Sequence, residues 1–256
     1  MKNRIPEILL LLLLLPQLIL AQSSQETIVG NKHTIHSDIL NETREYWVGL
    51  PDSYDHVTVQ NKRYPLLLVL DGPSHFRYIT GMLSSMSAMR YGTRRIPEMI
   101  VVGLASTNCE RDFTPDKIVT KRKNDTGGAD QFLDFVEDEL LPELQEKYQL
   151  SEYSILFGHS LGGLFAVHTY LQEESNFDAL LAIDPSFGTW DAEKIDAKIE
   201  AMSDRSFDRY LYIATANWGT RNLGNRDRHV RFFEALRKRN GSDLFRARLE
   251  YFENEN

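Results

Sequence analysis

The stretch Tyr153-Ser154-Ile155-Leu156-Phe157-Gly158-His159-Ser160-Leu161-Gly162-Gly163-Leu164-Phe165-Ala166-Val167 constrains this chain more than any other. A short apolar run enters Gly-x-Ser-x-Gly, and an amphipathic run leaves it. That order of strand, sharp turn and helix is the context of a nucleophile elbow, in which a strained turn lifts a serine hydroxyl above a sheet edge. Gly158 and Gly162 remove side chains where backbone segments come close. Ser160 is therefore the candidate nucleophile. The Leu161 N–H, at the first helical position, has no acceptor within the helix and is free to face a developing oxyanion. The competing reading, a glycine-rich turn around a buried serine, leaves both flanks unexplained.

The rest of the chain supplies a sheet for such a turn. Thr34 to Leu50 alternates apolar and polar residues up to Pro51, as in an antiparallel pair at a sheet edge. Continuous apolar runs at Tyr64–Leu70, Ile100–Leu104 and Ala179–Ile183, with a further run at Tyr210–Ala214, read as strands covered on both faces. Arg246–Phe252 alternates like a last strand. Between Ala129 and Tyr148, Phe132, Val136, Leu140 and Leu144 recur every four positions, which predicts a helix kinked at Pro142; Val230–Arg239 reads as another. Strands alternating with helices imply an α/β fold with a mainly parallel sheet and helices on both faces.

Length and composition fit one such domain: 256 residues with 42% hydrophobic and 26% charged content can bury a sizeable core. A net charge of −8, with no Lys/Arg-rich patch, argues against a nucleic-acid partner. At the N-terminus, Lys2 and Arg4 precede the aliphatic run Ile8–Leu15, Pro16 and Leu18-Ile19-Leu20-Ala21. This reads as a signal peptide over residues 1–21, followed by a single domain from 22 to 256. The mature protein is expected to be exported, periplasmic or secreted, without stable membrane insertion. Cys109 is the only cysteine, so no intrachain disulfide forms, and nothing around it marks it as a nucleophile.

A serine hydroxyl needs a base, an orienting acid and a second oxyanion donor. The loop after Tyr64–Leu70 offers Gly72 as that donor, because a glycine lets backbone approach a substrate and Pro73 has no N–H. Asp227, in the expected loop after Tyr210–Ala214, is preferred as the acid, with Asp184 at the preceding strand end as the alternative. The seven histidines are His33, His36, His56, His75, His159, His168 and His229, and none falls at the position of the base, just past Phe252. His168 lies two helical turns along and points away from the hydroxyl. Phosphate-loop, dinucleotide and H-E-x-x-H motifs are missing from the sequence, so no cofactor or metal is expected. Trp190, Trp218 and Tyr78 are candidates for pocket walls.

Five segments occur in order: Leu50-Pro-Asp-Ser-Tyr54, Tyr64-Pro-Leu-Leu-Leu-Val-Leu-Asp-Gly72, Arg111-Asp-Phe-Thr-Pro115, Gly127-Gly-Ala-Asp-Gln-Phe132 and Gly158-His-Ser-Leu-Gly-Gly163. Together they resemble the Putative esterase family of α/β hydrolases, which includes siderophore esterases, feruloyl esterases, S-formylglutathione hydrolases and mycolyltransferases. The match is closest to the siderophore-esterase-like branch and covers residues 34 to 256. The resemblance implies an α/β-hydrolase fold and an exported serine esterase acting through an acyl-enzyme on Ser160. Its substrate would be a small ester, such as a siderophore or acylated sugar. Leu161 and the Asp71-Gly72 turn would form the oxyanion hole, with Asp71, Arg111 and His159 on the substrate side. Asp184-Pro-Ser-Phe stands where many relatives have Ser-Pro-Ser-Leu-Trp-Trp, a departure in the acid region. The family closes its last strand with a polar stretch and His-Gly. Here Glu253-Asn-Glu-Asn256 is the stretch, and the sequence ends before the His-Gly, as expected of a domain lacking its C-terminal end. The alternative is a non-catalytic, hydrolase-like binding protein; an acyltransferase using the same acyl-enzyme is a third reading.

Overall fold

The alternation of buried side chains along each strand decides which helices can cover the sheet. In the computed structural model, residues 29–56, 61–88, 95–118, 125–217, 223–240 and 245–253 are described. The candidate signal segment 1–21 and Trp218 lie outside them. The described strands are β1 (Asn31–Ser37), β2 (Glu42–Gly49), β3 (Tyr64–Leu70), β4 (Ile100–Leu104), β5 (Leu150–His159), β6 (Ala179–Ile183), β7 (Tyr210–Ala216) and β8 (Ala247–Phe252). They form an eight-stranded sheet in the order β1-β2-β4-β3-β5-β6-β7-β8. The β1–β2 and β2–β4 pairs are antiparallel, and every other pair is parallel. This is the α/β-hydrolase arrangement, with the edge hairpin where the alternation of Thr34–Leu50 placed it.

The helices are α1 (Gly72–Ser87), α2 (Cys109–Phe113), α3 (Ala129–Phe135), α4 (Leu141–Lys147), α5 (Leu161–Tyr170), α6 (Ala192–Ala201) and α7 (Leu223–Asn240). Within β3, Leu67 and Val69 face α1, packing with its Phe76 and Ile79, while Leu66, Leu68 and Leu70 join the larger core with α3, α4 and α5. Successive strand residues point to opposite faces, so one apolar run feeds two layers.

Three elements differ from the sequence reading. The Ala129–Tyr148 helix is not simply kinked: a π-helical turn, Val136–Leu140, separates α3 from α4. A repeat of four overshoots the 3.6 residues of an α-turn, and a wider turn keeps Phe132, Val136, Leu140 and Leu144 all fully buried. Pro142, at the start of α4, has no N–H to continue an α-helical ladder. The run after the elbow is not amphipathic either, since every residue of α5 from Gly162 to Tyr170 is buried. It is a central helix, buried from Gly162 onward on every side. Finally, α7 starts at Leu223 rather than near Val230. Its buried positions Asn225, His229, Phe232 and Leu236 follow helical spacing, but the first two are polar.

Candidate active site

β5 delivers Ser160 to the carboxyl edge of the sheet. Its backbone has φ 56° and ψ −113°, a conformation that costs a non-glycine residue about 1–3 kcal/mol. The strain is held by neighbours on both sides. Ser160 N–H donates to Ile183 O at 2.9 Å, and Ser160 O accepts from Leu164 N–H and Ser186 N–H, each at 3.0 Å. A Cβ on Gly158 would lie 2.0 Å from Gly162 O, so the glycine there is imposed by the turn itself. The Oγ of Ser160 lies 3.0 Å from the Oγ of Ser186.

Leu161 opens α5, and Gly72 opens α1. Both follow neighbouring parallel strands, since Val69 of β3 is level with Phe157 of β5. Two helix N-termini with unsatisfied N–H groups thus share one sheet edge, the arrangement an oxyanion needs. Packing gives a reason of its own for glycine at 72. A Cβ there would meet Gly103 C and O of β4 at 2.6 and 2.7 Å, so close packing against β4 demands it. Asp71 adopts a left-handed conformation (φ 52°, ψ 46°), and its Oδ1 accepts from Ser106 Oγ at 2.8 Å. Its other carboxylate oxygen would lie 3.5 Å from a Cβ on Gly162, which puts Asp71 against the elbow.

The two candidate acids are placed very differently. Asp227 is not in a loop; it sits within α7, and it is exposed. Asp184 follows β6 directly with φ 45°, is buried, and donates its N–H to Ala214 O at 2.7 Å. Its charge also acts on the buried His229 ring. Burial pushes the His229 imidazole below its ordinary pKa, with the Pro185 carbonyl and Asp184 opposing that shift.

His168 and His75 have other partners. His168 Nε2 meets Asp130 Oδ1 at 2.8 Å, and its ring packs edge-on to Trp190, so it points away from Ser160 as expected. His75 bonds Tyr78 through Nδ1 at 2.9 Å, and its ring meets that of His159 edge-on at 5.8 Å. Burial lowers the His75 pKa, the Asp71 charge raises it, and His159 lowers it further. His159 is thus beside both Ser160 and the α1 terminus. Tyr78 is largely exposed, whereas Trp190 is buried next to an apolar crevice lined by Phe187, Ile195 and Phe232 with Arg228 and Arg231 at its rim.

Arg111 is engaged within the protein. Its Nη2 meets Glu42 Oε1 at 2.6 Å and its Nε donates to Asp112 Oδ1 at 2.8 Å. Those carboxylates also pair with the fully buried Arg44, at 2.7 Å for Asp112 Oδ2. Burial would raise the Glu42 carboxyl pKa, but the Arg111 and Arg44 guanidiniums outweigh it and hold it below the usual range. Cys109 opens α2, and burial raises its thiol pKa, which suits a structural residue. No group of three or more His, Cys, Asp or Glu able to hold a metal occurs among the described residues.

A mainly parallel sheet covered by helices, with a serine in a strained turn between a strand and a buried helix, defines the class: this is an α/β-hydrolase fold. The chain belongs to the Putative esterase family, whose model matches residues 37–243. It is 31% identical over 139 residues to the ferri-bacillibactin esterase BesA of Bacillus subtilis, covering 48% of each protein. It is 25% identical over 169 residues to the apo-salmochelin esterase of Escherichia coli, covering 59% of this chain and 50% of that protein. The matches thus span about half the length of these two relatives. Among solved structures, an IroE-like serine hydrolase from Shewanella oneidensis superposes with a TM-score of 0.77 at 26% identity. That superposition covers 89% of this chain and 74% of the other.

Proposed function

We propose that this protein is an exported serine esterase that hydrolyses a small carboxylic ester, with siderophore esters as the substrate class. The observation that carries the reading is Ser160, held at φ 56° between β5 and α5 at the same sheet edge as the N-terminus of α1. Ser160 Oγ attacks the ester carbonyl as its proton passes to a base. The Leu161 N–H and the Gly72 turn hold the oxyanion, the alcohol leaves, and water then clears the acyl-enzyme. Asp184 is favoured over Asp227 as the orienting acid because it is buried at the strand end, whereas Asp227 faces solvent. On this reading the base belongs to the loop that follows β8. Glu250 of β8 is level with Ala214, which is level with Ile183 and His159, so β8 ends on the edge that carries Ser160. Three strand spacings, about 14 Å, separate β8 from β5, a gap a short loop can span. The siderophore class rests on the names of the relatives, and export on the signal-like segment 1–21.

A second reading has one specific observation behind it: among the described residues Ser160 Oγ meets a hydroxyl, not an imidazole. On that reading the protein binds an ester without turning it over. Both are tested by assaying the full-length protein on short-chain esters and on a tri-ester siderophore, with Ser160→Ala beside it. The esterase reading expects turnover that Ser160→Ala abolishes, and stoichiometric labelling of Ser160 by a fluorophosphonate. Turnover unchanged in Ser160→Ala would refute it, and binding without turnover or labelling would favour the binding protein.

A further inference from the structure

Ser186 plays no part in the Gly-x-Ser-x-Gly motif, yet it is bonded to the nucleophile twice. Its Oγ is 3.0 Å from Ser160 Oγ, and its N–H donates to Ser160 O at 3.0 Å. The segment that carries it is anchored from below. Pro185 O accepts from His229 Nε2 at 2.6 Å and from Asn225 Nδ2 at 3.0 Å. A carbonyl can only accept, so Nε2 must carry the imidazole hydrogen, and Nδ1 accepts the Thr215 hydroxyl at 2.8 Å. Asn225, His229 and Thr215 are all buried, and the Phe187 ring closes edge-on over His229 at 5.2 Å. A buried polar cluster whose members find these partners specifies one arrangement of the segment it holds.

We propose that Ser186 is a positioning residue for the Ser160 nucleophile, fixing its Oγ in one rotamer, with Asn225, His229 and Thr215 as the brace that holds Ser186 in place. The proposal rests on the esterase reading of Ser160. When the Ser186 hydroxyl donates to Ser160 Oγ, the Ser160 proton stays available to the base. No covalent bond to Ser186 forms or breaks, and the proton leaves with the base as before.

The test uses full-length wild type, Ser160→Ala, Ser186→Ala and Ser186→Thr, assayed with p-nitrophenyl acetate and crystallised. Ser186→Ala is expected to lower kcat about 10- to 100-fold, the scale of a misplaced reacting group, with KM and Tm as in wild type. Ser186→Thr, which keeps the hydroxyl, should recover most of that loss. In crystals Ser160 Oγ should occupy one position in wild type and several in Ser186→Ala. An unchanged kcat in Ser186→Ala overturns the proposal, as does an equal fall in both variants accompanied by a lower Tm, which marks mere packing. If Ser160→Ala keeps turnover, or wild type has none, the esterase reading fails separately. The crystals then decide alone, a single Ser160 rotamer in Ser186→Ala overturning the positioning role and several supporting it.

Discussion

Single atoms decide the chemistry at the elbow. At Gly158 the obstacle to a side chain is the Gly162 carbonyl, backbone that cannot swing aside. Gly158→Ala should therefore destabilise the fold by more than about 4 kcal/mol or prevent folding, read by denaturant unfolding of the purified protein. The control is Gly81→Ala on exposed α1, where an added Cβ meets nothing within 4 Å. It should stabilise by about 0.4–1 kcal/mol, through a smaller entropy loss on folding. The two candidate acids can be told apart in the same way. Asp184→Asn should lower kcat at least about 100-fold, since an orienting carboxylate fixes the tautomer of the base. Asp227→Asn, on the outer face of α7, should leave kcat within about twofold of wild type. A larger loss for Asp227→Asn than for Asp184→Asn would reverse the assignment.

Elements show where the pattern of apolar residues suffices and where it misleads. The strands read correctly because a run such as Leu66–Leu70 has only one way to be covered on both faces. Helix α1 was not legible, because Gly72-Pro73 signals a turn and Ser74, His75, Ser84 and Ser85 dilute its apolar stripe. The first half of α7 was hidden for a related reason: the face it buries is Asn225 and His229, chosen for what they bond and not for hydrophobicity. For α5 the sequence reads as an amphipathic run, but only packing shows that every side of it from Gly162 to Tyr170 is buried. Phe165, fully buried at the centre of α5 against Phe113 and Phe132, should therefore cost about 3–5 kcal/mol when replaced by alanine. Met82→Ala, on the exposed side of α1, should stay within about 0.5 kcal/mol of wild type. Comparable losses at the two positions, measured by chemical denaturation, would contradict the buried placement of α5.

At the scale of the molecule, the edge hairpin is tied to the loops above the sheet by charge. Arg44 of β2, fully buried, is neutralised by Asp112 of α2 and by Glu42, while Arg111 joins both carboxylates. Removing one partner leaves an uncompensated buried charge, which is far worse than exchanging the whole network for apolar side chains. Asp112→Ala should cost about 3–5 kcal/mol in unfolding free energy. Lys32→Ala, which breaks the exposed pair with Glu45 on the same hairpin, should cost no more than about 1 kcal/mol. An Asp112→Ala loss no larger than that of Lys32→Ala would show that Arg44 finds another counter-charge. The same network explains why Arg111, expected on the substrate side, is engaged by the protein itself.

What the sequence by itself determined is the part of this protein governed by local rules. The succession of strands along the chain, the edge hairpin, and the strand–turn–helix at Ser160 follow from runs, periods and turn residues a few positions apart. Only the tertiary structure decided which polar residues are buried and what they bond. Asp184 and Asp227 are both aspartates that follow a strand in the chain, and Ser186 is one serine among many. Nothing within a few residues of them says that β6 would turn Asp184 inward or lay Ser186 over Ser160. Nor does it say that α7 would bring His229 under Pro185, 44 positions earlier in the chain. Hydrogen bonds of that kind are short in space and long in sequence, so their partners are fixed by the packing of the sheet and its helices.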